Sequence, residues 1–279
     1  MNQQRGKLNV EDSKEAAGLR VIHPVHSSQN SQTPFMVALK IALMSGGDLE
    51  IVDVRAEEEA FEHISVRSVL ERWGVLPAGS HRRNVEEVGL RVKKVVKEGN
   101  KKKQIRQRLD RHKHDLMVIG TGSSSSLSQS LPQNVARHFN RITLFVPCDS
   151  RCFLNEQSGT VSINSVLLPI SNQQYYDLAS DVLLRFFELF EGVKPCVIGM
   201  HSGRNFPSLK LRKDASIKWI ETVRSEPVEE AIKNSCELYN SDLIVLVSKG
   251  KNGLVKSFTG STTGQVLKSA PCPVLSISV

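Results

Sequence analysis

The residues best suited to chemistry lie near the carboxyl terminus. Gly250 is followed by nine residues, Lys251 to Thr259, and then by Gly260-Ser261-Thr262-Thr263. Glycines permit positive φ and close backbone approach. A loop of open amides leading into a helix that begins near Ser261 would present N–H groups and a positive dipole end to an anion. Lys249, Lys251 and Lys256 add charge, and Ser261, Thr262 and Thr263 add hydroxyl donors. The chemistry indicated is phosphate or nucleotide binding. The same residues also suit a plain turn and helix N-cap, and the sequence leaves both readings open.

Other reactive residue types form no constellation. Among His23, His26, His63, His81, His112, His114, His138 and His201 there is no metal-spaced pair, and no Gly-x-Ser-x-Gly elbow occurs. The loop from Val247 to Thr263 contains no acid to serve as a base or metal ligand, so no catalytic residue and no metal site is assigned. The five cysteines, Cys148, Cys152, Cys196, Cys236 and Cys272, are irregularly spaced and read as free thiols in a reducing compartment. Ser45-Gly-Gly-Asp48 reads as a helix-stopping turn and Ser123 to Ser126 as a surface loop.

Short apolar, β-branched runs alternate with amphipathic stretches, the pattern of βα units around a parallel sheet. Strands are expected at Leu19 to Val25, Leu49 to Val54, Leu90 to Val96, Leu116 to Ile119 and Thr143 to Val146. Helices are expected at Phe35 to Met44, Glu57 to Trp73, Lys101 to Arg111 and Gln133 to Phe139. The order then restarts. Strands are expected at Val166 to Ile170, Cys196 to Met200, Ile217 to Val223, Leu243 to Val247 and Val274 to Val279. The helices between them fall at Tyr175 to Phe190, Pro227 to Tyr239 and Ser261 to Ser269, with a loop around Pro207 replacing one helix. The repeat shows most plainly in His114-Asp-Leu-Met-Val-Ile and Ser241-Asp-Leu-Ile-Val-Leu. The expected organisation is one domain over 1–147, a linker hairpin over 148–162 carrying Asn155-Glu-Gln-Ser-Gly159, and a second domain over 163–279. Apolar last strands are costly as open edges. The two halves are therefore expected to pair about a pseudo-two-fold axis.

The segment Asp242-Leu-Ile-Val-Leu-Val-Ser-Lys-Gly250, with Gly260-Ser261 and Ala270-Pro-Cys-Pro-Val274, resembles the nucleotide-loop half of universal stress proteins. Val223-Arg-Ser-Glu-Pro227 and Val95-Val-Lys-Glu-Gly99-Asn are similar to a second element of that family, and Val66 to Pro77 to a helix-turn of some tandem members. The resemblance implies an α/β fold of two tandem Rossmann-like (adenine nucleotide alpha hydrolase-like) domains, each a five-stranded parallel sheet flanked by helices. It implies a non-catalytic stress-response protein that binds ATP or a related nucleotide in the second domain only. The nucleotide-binding residues it implies are Pro169, Ser171, Val247, Gly250, Gly253, Gly260, Ser261 and Thr262. Val247 stands where the family pattern has its first glycine, and Ser171 where the first strand often ends in Asp. In the first half Gly120 and Gly122 remain, but Leu131-Pro132 takes the place of Gly-Ser. A nucleotide-independent interaction module of the same fold and a weak ATPase are the alternatives.

The net charge of +8 is concentrated. Between Arg91 and His114 there are eleven Lys or Arg against two acids, Glu98 and Asp110. A solvated face, an acidic protein partner and nucleic acid are the readings of that segment. The absence of any aromatic residue within it disfavours base stacking. No apolar run is long enough to span a membrane, and the polar first eighteen residues hold no apolar stretch, so a cytoplasmic protein, dimerising with a second copy or bound to another protein, is expected.

Overall fold

The computed structural model describes residues 18–25, 32–55, 65–122, 126–148, 150–211, 217–248 and 262–278, and every structural statement below concerns these residues. The first half contains strands β1 (Arg20–Val25), β2 (Asp48–Arg55), β3 (Arg91–Glu98), β4 (Leu116–Thr121) and β5 (Ile142–Pro147). Its helices are α1 (Thr33–Met44), α2 (Val66–Arg72), α3 (Arg82–Glu87), α4 (Lys101–Arg111) and α5 (Ser126–Phe139). The second half contains β6 (Ser165–Pro169), β7 (Cys196–Ser202), β8 (Lys218–Arg224), β9 (Leu243–Ser248) and β10 (Val274–Ser278). Its helices are α6 (Gln173–Glu188), α7 (Val228–Leu238) and α8 (Thr262–Ser269).

Within each half all pairings are parallel, as the buried β-branched runs require. The halves do not remain separate sheets. They fuse into one ten-stranded sheet, ordered β3-β2-β1-β4-β5-β10-β9-β6-β7-β8, through an antiparallel pairing of β5 with β10. The register at this seam is informative. Val118 is level with Leu144 and Val245 with Leu275, so Leu144 and Leu275 are equivalent residues, and they face each other. Val274 pairs with Phe145 and Ser276 with Thr143, which is the same relation read from either side. A pseudo-two-fold axis therefore passes between the two leucines, normal to the sheet.

One core covers each face. α1, α2, α3 and α6 pack on one side with Leu49, Leu144, Val166 and Leu275. α4, α5, α7 and α8 pack on the other with Ile105, Phe145, Ile232 and Val274. The expected connecting hairpin is present as a bridge between Leu154 and Val161. It is docked by Trp73 Nε1 donating to the Glu156 carbonyl at 3.1 Å and by a Thr33–Glu156 side-chain bond. Gly159, at φ +68, lies so close to the indole that a Cβ there would fall 2.5 Å from Trp73.

The elements match the sequence expectations with local differences. The expected helix from Glu57 is seen as α2 over Val66–Arg72, with residues 57–64 outside the described set. The short helix α3 was not expected: its six residues bury only Val85, too little apolar periodicity to read. α5 begins seven residues before the expected Gln133 and runs through Pro132. The stretch between β7 and β8 holds no helix over its described residues, as expected.

One buried ion pair ties α4 to the sheet. Arg108 donates from Nη2 to Glu50 Oε2 at 2.6 Å and from Nε to Oε1, with His114 Nε2 3.7 Å from the same carboxylate. Burial pushes the Glu50 pKa up, but hydrogen bonds and charge from Arg108 and His114 outweigh it and hold the carboxyl down at about 2. A depressed carboxylate stabilises the fold above its unfolded pKa of about 4.3, and that stabilisation fades as pH falls toward the folded value. Arg108→Met is therefore expected to cost about 3 kcal/mol at neutral pH by stranding the Glu50 charge. Urea unfolding at pH 7 and near pH 2 checks this: the gap to the parent protein should close in acid. A gap unchanged by pH would contradict the assignment.

Candidate nucleotide site at the carboxyl ends of the second-half strands

In each half the chain leaves its first strand toward one edge and returns to place the fourth strand on the opposite flank. In open α/β sheets, ligands bind at such a reversal, outside the carboxyl ends of the strands. Here the reversals fall between β1 and β4 and between β6 and β9. The ladders show a gap at both. β6 and β9 pair only through Val166↔Leu243 and Leu167↔Ile244, whereas β6–β7 and β9–β10 each hold five levels. β1 and β4 likewise pair only at Val21↔Leu116 and Ile22↔Met117, against six levels in β1–β2 and β4–β5. Beyond those levels the strands are unpaired toward their carboxyl ends, and the crevice expected at such a reversal lies between the last residues of β6 and β9.

Pro169 ends β6, Ser171 follows it, and Val247 is the penultimate residue of β9, so the structure places these three candidates around one crevice. Ser171 is exposed, and its Oγ accepts from Asn172 Nδ2 at 3.2 Å. Asn172 is the N-cap of α6: its Oδ1 accepts from the Tyr175 amide at 3.1 Å. α6 therefore starts at the crevice with its amides toward that edge. α8 starts on the other face at Thr262. Gly250, Gly253, Gly260 and Ser261 lie outside the described residues, and Thr262 is placed by its backbone as the first residue of α8.

The sequence singled out no role for His201. It lies near the end of β7 and its Nδ1 donates to the Ile170 carbonyl at 2.8 Å, the carbonyl just before Ser171. Nε2 stands over Gly203, where a Cβ would come within 2.6 Å of it. The readable signal was its position five residues into an apolar strand, at the edge where α/β sheets present polar side chains.

The first-half crevice differs. Matching levels make His23 the counterpart of Leu168. His23 is buried and its Nδ1 donates to the Val118 carbonyl at 2.9 Å, bridging β1 to β4 just past the last paired level. Leu168 has no group to make such a bond. His26 lies outside the described residues.

The strand levels also revise the loop alignment. Gly120 matches Val247, a difference of 127, while Val135 and Ala136 match Val266 and Leu267, a difference of 131. The first-half loop is thus four residues shorter, and Leu131-Pro132 is level with Thr262-Thr263, inside the helix. Gly260-Ser261 lies outside the described residues, and Leu131-Pro132 lies within α5.

A model of the universal stress protein family matches residues 182–278, from the middle of α6 through β10. The second half carries a universal stress protein domain. No curated protein matches the sequence. The whole chain shares its fold with a universal stress protein of Archaeoglobus fulgidus DSM 4304, at TM-score 0.61 and 15% identity, covering 93% of this chain and 96% of that one. A functionally unknown protein of Pseudomonas aeruginosa PAO1 gives a TM-score of 0.58 at 13% identity, covering 93% and 92% of the two chains. At these identities the likeness establishes the fold alone. It extends the Rossmann-like arrangement of the universal stress protein domain over both halves. No described helix is long and apolar enough to cross a membrane, and no described group of three or more His, Cys, Asp or Glu could hold a metal.

Because a carbonyl can only accept, the Ile170 contact fixes the neutral His201 ring as its Nδ1–H tautomer, with the lone pair on Nε2. Long-range ¹⁵N–¹³C correlation spectra should show a protonated Nδ1. A protonated Nε2 would contradict the geometry.

Proposed function

We propose that this protein, whose second half carries a universal stress protein domain, holds ATP, or a related nucleotide, in the crevice between β6 and β9, as a non-catalytic stress-response protein. The observation that carries the reading is the end of β6–β9 pairing after two levels, at the topological reversal where a ligand cleft is expected. The residues around that cleft supply the needed chemistry. α6 and α8 begin at the same edge, α8 with Thr262, and the sequence between β9 and α8 supplies Gly250, Gly253, Gly260 and Ser261 with Lys249, Lys251 and Lys256. Backbone amides and lysines suit a polyphosphate. Pro169, Ser171 and Val247 form the wall on which the remainder of the nucleotide would rest.

The reading assigns no nucleotide to the first half. Its loop is shorter, has no second glycine, and its crevice is bridged by His23. The absence of any acid between Val247 and Thr263 supports binding without hydrolysis.

Two valine substitutions test the assignment. Gly260→Val blocks close backbone approach, while Gly120→Val installs in the first half the residue type already present at the matching Val247. Losing a charge-assisted phosphate hydrogen bond costs about 1.5–3 kcal/mol, so Gly260→Val should weaken ATP binding by about ten- to a hundred-fold. Gly120→Val should leave it nearly unchanged. Calorimetric titration of both variants decides it. Equal losses, or full binding by Gly260→Val, would misplace the site. A parent protein that releases no nucleotide on denaturation and is not thermally stabilised by ATP would favour a nucleotide-independent module.

A further inference from the structure

The pseudo-symmetry allows a comparison that a single domain would not. Val92 is level with Leu49 and Trp219 with Val197, so the unit β3–α4 in the first half matches β8–α7 in the second, residue for residue. The helices have equal length, eleven residues, and their buried anchors Ile105 and Ile232 coincide in this alignment. Residues 91–114 carry eleven Lys or Arg and two acids, whereas the matching 218–241 carry three and five. One structural unit is thus present twice, at the two outer edges of the sheet, once strongly basic and once mildly acidic.

Folding does not account for the basic copy. Lys101, Lys102 and Lys103 fill the first turn of α4, where the helix dipole disfavours cations, and that turn itself contains no acid. The matching turn of α7 has Glu229 and Glu230, the favourable sign. Lys93, Lys94, Lys97, Lys102, Lys103, Arg111 and Lys113 make no ion pair with any described residue. All seven are exposed. Arg108, by contrast, is committed to the core, on Glu50.

β3 is an outer strand of the sheet, bonded on one side to β2 over eight consecutive levels, so its other side presents a regular row of backbone groups. In a parallel ladder, level residues share a face. Lys93 is level with Glu50 and Lys97 with Val54, and both therefore lie on the α4 side of the sheet, while Lys94 lies on the other. Lysines on an open edge repel chance strand pairing, yet they favour a strand that brings carboxylates.

We propose that the β3–α4 edge is a docking surface for an acidic, extended segment of a partner protein. The segment adds beside β3 and sets its carboxylates against Lys93 and Lys97 and the start of α4. Backbone pairing gives alignment and the lysines give selectivity. Nucleic acid fits less well, because residues 91–114 contain no Phe, Tyr or Trp for bases to stack on and nucleic acid cannot use the open strand edge.

The probe is a fluorescein-labelled octapeptide of alternating Glu and Thr, followed by anisotropy against the full-length protein. A Gln-Thr octapeptide and an oligothymidylate of equal charge serve as comparators. The acidic peptide should bind, both comparators should bind at least about tenfold more weakly, and hydrogen exchange should slow at β3 amides. Lys93→Glu/Lys97→Glu should weaken binding about tenfold, since two surface attractions become repulsions. Lys102→Glu/Lys103→Glu should weaken it too while raising the melting temperature, because glutamates suit the start of α4. This variant decides the matter if the first does not fold. Lys233→Glu, on the matching α7, should change nothing. No binding of the acidic peptide, equal or tighter binding of the oligothymidylate, unchanged binding by either double variant, an equal loss in Lys233→Glu, or slowed exchange confined to α4 would each overturn the proposal.

Discussion

β5 and β10 would each be an apolar outer strand if its half stood alone, and each finds its cover in the other. The antiparallel contact centred on Leu144 and Leu275 does more than remove two edges. It sets the two halves about an axis normal to the sheet, so that corresponding helices fall on the same face and one continuous core covers each side. Burying a leucine side chain is worth about 1.5–3 kcal/mol, and here equivalent leucines bury each other at the centre of the sheet. The same contact leaves β3 and β8 as outer strands and opens the crevices of the two halves at opposite ends of the sheet.

A duplicated unit held in this way is free to diverge at positions that do not pack. The core positions have kept their character: Val21 and Val166, Ile105 and Ile232, and Leu144 and Leu275 are matched and buried. The crevices have not. In the first, His23 closes the gap that β1 and β4 leave, and the following loop is short. In the second, Leu168 leaves the gap open, and the long loop brings glycines, hydroxyls and lysines. The outer β–α units have diverged in charge instead. Nucleotide binding in one half and protein docking on the other are compatible proposals, because they use surfaces that the fold keeps apart.

Much of the architecture was legible because it rests on periodicity. Alternation of β-branched runs with amphipathic stretches located all ten strands, and Asn155 to Gly159 marked the hairpin. Apolar last strands at Thr143 to Val146 and Val274 to Val279 pointed to the seam. The helix α3 was not legible, since its one buried residue, Val85, leaves no periodic trace. Pro132 misplaced the start of α5, because a proline reads as a stop even where tertiary packing tolerates it. Leu131-Pro132 was aligned with Gly260-Ser261, and it lies inside α5, a helix whose start the sequence placed later. His201 and His23 were visible as residues but not as strand-bridging donors, because each meets a carbonyl on a neighbouring strand remote in sequence.

The central claim is functional asymmetry within a structurally symmetric pair, and the number of ATP molecules bound per chain addresses it directly. Equilibrium dialysis against radiolabelled ATP should saturate at one nucleotide per chain. Saturation at two would mean that the His23-bridged crevice is competent after all, and no saturable binding would remove the nucleotide from the account.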